Sequence, residues 1–505
     1  MGFQWVDFLI LISYLVVITL IGSLAGGRQR NVHDYFLGGG KVPWWAVSFS
    51  IVAAETSTLT FISIPGLAYI GNLNFLQVSF GYLLGRIVVA YIFLPSYKAG
   101  KIATAYEFLE NRFGQRARKF ASVIFLLTRI AADGVRLFAT AIPLAIIFKG
   151  FSLFAGFSNV QIYIVSILII ALVALLYTFI GGIKGVIWVD VIQMTIYIGG
   201  ALLALFILLS IVPGGFRAVS NFSGGVNKFS VVNFSFRGGI KGFFSEPYHF
   251  LGSLLGGMFL SMASHGTDQL IVQRLLSTRS IRDSQKAVIT SGVIVNFQFA
   301  LFLLVGLMLF AFYRGAQIGQ AGIPFTKADE IFPYFIVYSL PVGVKGLIIA
   351  GLFAAAISTL AGSISSLSSS AIMDLYRGKR GYKLDERKEL VVSRVATFVS
   401  AVILMFVAFG FIRVLQSVVE IALGIASITY GGLLGTFILG TLFRRVDEKS
   451  ALAGFVSGIV CMGLIIVVPF VFGKPPLFHW TWYTFIGCFV TVVVGNLAAN
   501  VKRLI

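Results

Sequence analysis

Apolar runs of roughly 20 residues recur about thirteen times along this chain, each long enough to cross the hydrocarbon of a bilayer as a helix. Only helices and closed barrels satisfy their own backbone groups in lipid, so the runs read as membrane spans and the fold as all-α and polytopic. Numbered one to thirteen, they cover approximately 4–25, 44–70, 75–97, 119–148, 159–180, 183–211, 247–275, 286–314, 338–373, 392–413, 418–443, 449–472 and 482–500. Composition agrees: of 505 residues 58% are hydrophobic and 11% charged, with mean hydropathy +0.95. No hydrophilic stretch is long enough for a core of its own, so residues 1–505 are expected to form a single membrane domain.

The net charge of +20 does not indicate nucleic acid, because the Lys and Arg residues sit in short loops between apolar runs. Taking the loops alternately, roughly 25 basic residues, among them Arg116, Arg118, Lys119, Arg279, Arg282, Arg377, Lys379 and Arg380, fall on one side against about 10 on the other. The N-terminus is therefore expected outside and the C-terminus in the cytoplasm of a multi-pass plasma (inner) membrane protein. Membrane lipid is its expected surrounding, and no obligate protein partner is implied. The first run lacks a basic n-region and a cleavage site, so it reads as a retained helix. The segment 212–246, ending at Glu246-Pro247, reads as an external loop, and Asp374 to Lys388 as a solvated cytoplasmic one. Cys461 and Cys488 both lie in apolar runs and form neither a disulfide framework nor a metal-ligand spacing.

Two spans are unlike the rest. Span two carries Glu55, Thr56, Ser57, Thr58 and Thr60 within the membrane, then Pro65-Gly66, which points to an unwound middle with freed carbonyls. Span seven has Gly256-Gly257 followed by Ser261, Ser264, His265, Gly266, Thr267, Asp268 and Gln269. Small polar residues also serve close helix packing. The five-span interval between the two breaks favours inverted repeats instead, in which paired broken helices build a site near the midplane. The parts are then 1–43, a first helix and cytoplasmic loop; 44–211 and 247–443, the two repeats; and 449–505, two additional helices.

In span nine Ala355, Ser358 and Thr359 stand at i, i+3 and i+4 and share one face. Sodium, a hard cation, takes about five or six oxygens; the two hydroxyls with freed carbonyls of span nine and of Ala53 and Thr56 make a neutral cage for it.

Further residues carry a family resemblance. Asp34-Tyr35-Phe36-Leu37-Gly38-Gly39 with Pro43-Trp44-Trp45, then Thr104 through Gly114, Tyr177-Thr178 through Gly181-Gly182 to Trp188-Val189-Asp190-Val191-Ile192-Gln193, Thr267 through Arg274, and Lys345-Gly346-Leu347 through Ala355 to Ser358-Thr359 together resemble the sodium/solute symporter family over nearly the whole chain. That family includes the sodium-coupled proline, glucose and sialic acid carriers. The resemblance implies the LeuT-type fold of two inverted five-helix repeats, alternating access, and sodium held at Ala53, Thr56, Ala355, Ser358 and Thr359. Asp190 matches an acidic residue near the ion pathway. A second sodium site in some members uses hydroxyls where this chain has Ala361 and Gly362, so one Na+ per cycle is expected.

By the same resemblance Ser57, Thr60, Gln77, Ser261, Ser264, His265 and Tyr430 face the solute. Ser57 and Thr60 are similar to hydroxyl positions of the sialic acid carriers, and the polar residues typical of the sugar carriers are absent. Span four carries Arg129, Asp133 and Arg136 at i, i+4 and i+7 on one face. These charges either form a structural ladder or turn an arginine to a solute carboxylate, for which Arg129 fits the family position slightly better than Arg136. Glu55 keeps amines and amino acids open, and His265 leaves proton coupling as a minor alternative. The expected function is sodium-coupled uptake of an organic acid or a sugar-like polyol; proline-like amino acid uptake and proton coupling are the alternatives. A tenfold sodium gradient supplies about 1.4 kcal/mol and 100 mV adds about 2.3 kcal/mol per charge, so one Na+ concentrates a neutral solute about 500-fold but a monoanion only about tenfold. An enzyme would need clustered nucleophiles, acids or metal ligands at one membrane face, and the sequence offers none.

Overall fold

A computed structural model of the chain describes all residues except 1–2, 28, 30, 57, 101, 150–151, 236–238, 247, 321–322, 324, 326–327, 377–385, 413–417, 475–476 and 505. Ser57 and most of the expected 374–388 loop thus lie outside the described residues. The described chain is helical from end to end, and each apolar run falls on a helix or a broken helix. Among the described residues nine helices are long and apolar enough to cross a membrane, or ten when the bent pair Trp44–Glu55 and Thr60–Ile70 counts as one span. The other three runs lie on Gln115–Lys149, which carries the Arg129, Asp133, Arg136 ladder; on the interrupted pair Phe250–Gly266 and Gln269–Leu276; and on Val418–Leu442.

Local chemistry explains the departures from the expected ends. Spans five and six are one helix, Asn159–Ile211, kinked at Gly182, whose φ of 56° and ψ of −162° only glycine adopts freely. Span nine starts later than expected. A short helix, Ile331–Ser339, precedes Pro341 and Gly343, and the long helix then runs Val344–Ser370. Asp7 of span one caps it, its Oδ1 accepting from the Gly343 N at 2.7 Å and the Gly346 N at 3.2 Å. This cap ties the outermost helix to the innermost: 17% of the apolar window of span one is buried, against 94% for span nine.

Span nine packs most heavily on the long kinked helix of spans five and six, and spans three and seven pack on each other. Gly81 and Gly257 face each other across the latter contact; a Cβ on either would overlap a backbone carbonyl, of Leu254 or of Val78. This close approach carries Arg86, further along span three, to the level of the span two break. The segment 212–246 contains the helices Phe216–Phe222 and Gly239–Ser245. Its Lys228 is buried, donates to the Tyr69 carbonyl at the end of span two at 2.7 Å, and lies 4.1 Å from the Phe310 ring centre. Burial pushes its amine down from 10.5 to about 8.

Candidate functional site

Helix Trp44–Glu55 stops at Thr56, which turns to φ −81° and ψ 96° while its N–H still donates to Val52. The chain then bends by 63° into the second half of span two. Carbonyls in the last turn before such a break lack helical donors. That of Ala53 accepts from the Thr359 hydroxyl of span nine at 3.4 Å. Two oxygens each about 2.4 Å from one cation and at right angles around it lie roughly 3.4 Å apart, so this spacing suits a sodium ion, close to calcium in radius. Ser358, one residue earlier on the same helix, donates its proton to Asp190, which leaves its lone pairs for a cation.

Asp190 is itself fully buried and tied down. Ser50 of span two also donates to it, and Arg274 lies 3.2 Å from its Oδ2. Arg274 is pinned in turn by bonds to Ser50 Oγ at 2.8 Å and the Leu270 carbonyl at 2.8 Å. The carboxylate is therefore neutralised by Arg274 and holds the Ser358 hydroxyl. A Cβ at Gly362 would meet Arg274 Nη2 at 2.5 Å, so the guanidinium fills the space that a side chain at 362 would take.

A second cluster surrounds the other side of the break. Glu55 is paired with Arg86, which is fully buried and also donates to Ser291 at 2.9 Å. His265 Nε2 lies 3.7 Å from Glu55 Oε2, and His265 Nδ1 is bonded to Ser264 Oγ at 2.8 Å and to the Ser261 carbonyl at 3.2 Å. Ser261 donates to the Tyr82 carbonyl at 2.9 Å. Glu55 is 19% exposed and is the charged member of this group that reaches open space. Thr60 is half-buried on the second half of span two.

The third cluster joins spans four, seven and eleven. Arg129 sits 3.4 Å from Asp133 and 3.3 Å from Asp268, the N-cap of the helix after the span seven break. Tyr430 donates to the same Asp268 carboxylate at 2.6 Å. Arg129 is thus enclosed between two carboxylates. Arg136 differs: it contacts Asp133 at 3.1 Å, is 29% exposed, and lines a cavity of about 10 Å³ with Asp133, Thr140, Thr359 and Ser363. That cavity has room for about one water and is lined by Thr359.

Of the expected residues, Ala53, Ser358, Thr359 and Asp190 come together at one centre, with Thr56 at the break and Ala355 on the same helix as Ser358. Glu55, Ser261, Ser264 and His265 form the second centre, and Arg129, Arg136 and Tyr430 the third. Gln77 stands apart. Its amide bonds only backbone, donating to Asn74 and Tyr248 and accepting from Asn233, which ties span three to the segment 212–246. The partners Arg86, Arg274 and Asp268 were not singled out from the sequence as site residues. The two arginines carried a usable signal, an ionisable side chain inside an apolar run.

The sodium:solute symporter family profile matches residues 35–458. The Proteus mirabilis sodium/sialic acid symporter SiaT is 29% identical, covering 98% of this chain and 95% of that protein. The Aliivibrio fischeri sodium/sialic acid symporter NanT is 30% identical over 99% of this chain and 94% of that protein. A solved structure of a Na+-coupled sialic acid symporter, substrate-bound and outward-open, superposes with a TM-score of 0.85 at 29% identity, covering 99% and 98% of the two chains. The architecture is accordingly the LeuT-like one expected, and Na+ and a solute are what such a carrier moves together. The chain belongs to the sodium:solute symporter family and is a multi-pass, sodium-coupled symporter.

Proposed function

We propose that the protein couples one Na+ to the uptake of one monocarboxylate. The observation that carries this reading is the charge balance of the three clusters. Their four arginines, Arg86, Arg129, Arg136 and Arg274, are matched by four carboxylates, Glu55, Asp133, Asp190 and Asp268. Adding one sodium leaves a single positive charge in a low-dielectric interior, and a monoanionic solute cancels it. Sodium is held by carbonyls of Ala53, Thr56 and Ala355 and hydroxyls of Ser358 and Thr359. The carboxylate is held by Arg136, the arginine with exposed surface, rather than by the enclosed Arg129. Thr60, Ser57, Ser264 and the rim of the Glu55 and His265 cluster take the polar remainder.

The sialic acid carriers among the relatives support an acidic solute. Pairing of Glu55 with Arg86 disfavours an amine, because the carboxylate is already neutralised. The organisation that goes with this reading is thirteen spans, with repeats over 44–211 and 247–443, the N-terminus outside and the C-terminus in the cytoplasm of the cell's inner membrane.

The test is uptake into proteoliposomes of N-acetylneuraminate, lactate, glucose and proline, with sodium or potassium outside and with an imposed potassium diffusion potential. Sodium-dependent uptake of an acid, unaffected by the potential and limited to about tenfold accumulation on a tenfold sodium gradient, is expected. Uptake of glucose or proline instead, or strong dependence on the potential, overturns the proposal.

A further inference from the structure

The break in span two does not hold itself open. Thr56 is 2% exposed, and the residue that reaches it comes from span eight, which contributes nothing else to the sodium cage. Gln298, on the helix Ile281–Phe312 and fully buried, places Nε2 at 2.8 Å and Oε1 at 3.0 Å from Thr56 Oγ1. The hydroxyl can accept from one end of the amide and donate to the other. Ordinarily a threonine at a helix end turns its hydroxyl back to a carbonyl of its own last turn. Here the amide engages that hydroxyl, so the carbonyls of the last turn stay available. A glutamine buried in a membrane helix is expensive unless both ends of its amide are satisfied, and Thr56 engages both.

We propose that Gln298 is a positioning residue for sodium: by gripping the Thr56 hydroxyl it fixes the unwound backbone of span two so that the Ala53 and Thr56 carbonyls face the ion. The role rests on the sodium cage proposed above. It makes span eight a determinant of sodium affinity although none of its side chains touches the ion.

The experiment measures the thermal stability of the purified full-length protein against NaCl concentration, with KCl keeping ionic strength constant, for the wild type and for Gln298→Leu, Thr56→Val, Thr56→Ser and the double variant Gln298→Leu/Thr56→Val. Loss of one neutral hydrogen bond at the cage is expected to raise the half-saturating sodium concentration between about threefold and tenfold in Gln298→Leu and in Thr56→Val. Thr56→Ser keeps the hydroxyl and is expected to titrate like the wild type. The double variant is expected to shift no further than either single one, since both remove the same contact. A general loss of stability lowers the sodium-free melting temperature without moving the half-saturation point. Equal half-saturation in wild type and Gln298→Leu, or additive shifts in the double variant, overturns the clamp. If Gln298→Leu does not fold, the contrast between Thr56→Val and Thr56→Ser decides alone. Absence of any sodium effect on the wild type would instead remove the cage itself and the clamp with it.

Discussion

Arg129 and Arg136 lie two turns apart on one helix and should respond to the same substitution in opposite ways. Arg136→Gln removes a guanidinium that is 29% exposed and has Asp133 as its ion-pair partner, and Asp133 keeps Arg129 at 3.4 Å. Stability should therefore change little, while the charge balance of the core falls by one. A hydrogen bond to a charged group contributes about 1.5–3 kcal/mol; with the partial exposure discounted, the loss of solute affinity should be about 1–2 kcal/mol, roughly 5- to 30-fold. Arg129→Gln leaves Asp133 and Asp268 buried with one remaining arginine between them, and breaking a buried pair of this kind costs about 3–5 kcal/mol of stability. Sodium-driven uptake in proteoliposomes, beside thermal melting of the same preparations, separates the two. Transport with an unchanged KM in Arg136→Gln, or selective loss of binding at unchanged melting temperature in Arg129→Gln, refutes the assignment.

Three other outcomes follow from the same contacts. Glu55→Gln strands the fully buried Arg86 and should cost about 3 kcal/mol in denaturant or thermal unfolding, with Arg86→Gln/Glu55→Gln recovering part of the loss; unchanged stability would mean the pair is not structural. Gly362→Ser should push Arg274 off Asp190 and cost about 1–3 kcal/mol without adding a second sodium, read by melting and by the slope of transport against sodium concentration. Lys228 carries a folded-state pKa of about 8 against 10.5 unfolded, so between those values the unfolded chain binds more protons and stability rises with pH. Melting temperatures of wild type and Lys228→Met compared from pH 7 to pH 10.5 should show this rise in the wild type alone.

The parts of this carrier that obey local rules were legible in the sequence. Span length, the polar interruption at Glu55 to Thr60, and the i, i+3, i+4 face of Ala355, Ser358 and Thr359 all express periodicity or backbone chemistry within a few residues. Pairing across the chain was not legible. Nothing near Arg86 announces Glu55, which lies 31 positions earlier, or near Arg274 announces Asp190, which lies 84 positions earlier. The same holds for the two arginines of span four, whose spacing is symmetric about Asp133. What separates them is Asp268 and Tyr430, contributed by spans seven and eleven. Gln77 is placed at the solute by the family resemblance, and its amide here is taken up by three backbone groups.

The geometry also gives a physical account of coupling. Ala53, Glu55 and Thr56 lie within four residues, and each is engaged from a different direction: Ala53 by span nine, Glu55 by spans three and seven, Thr56 by span eight. In the proposed cage a sodium ion between Ala53 and Thr359 would draw the break toward span nine. The Thr359 side of span nine lines the same small cavity as Arg136, so in the proposed arrangement the ion and the arginine assigned to the solute share one wall. Each ligand then adds a contact to a wall the other has already ordered, and their binding is mutually favourable by linkage. A carrier built this way binds neither partner tightly alone, because one-ligand states leave either an unbalanced charge in the core or a loosely held break.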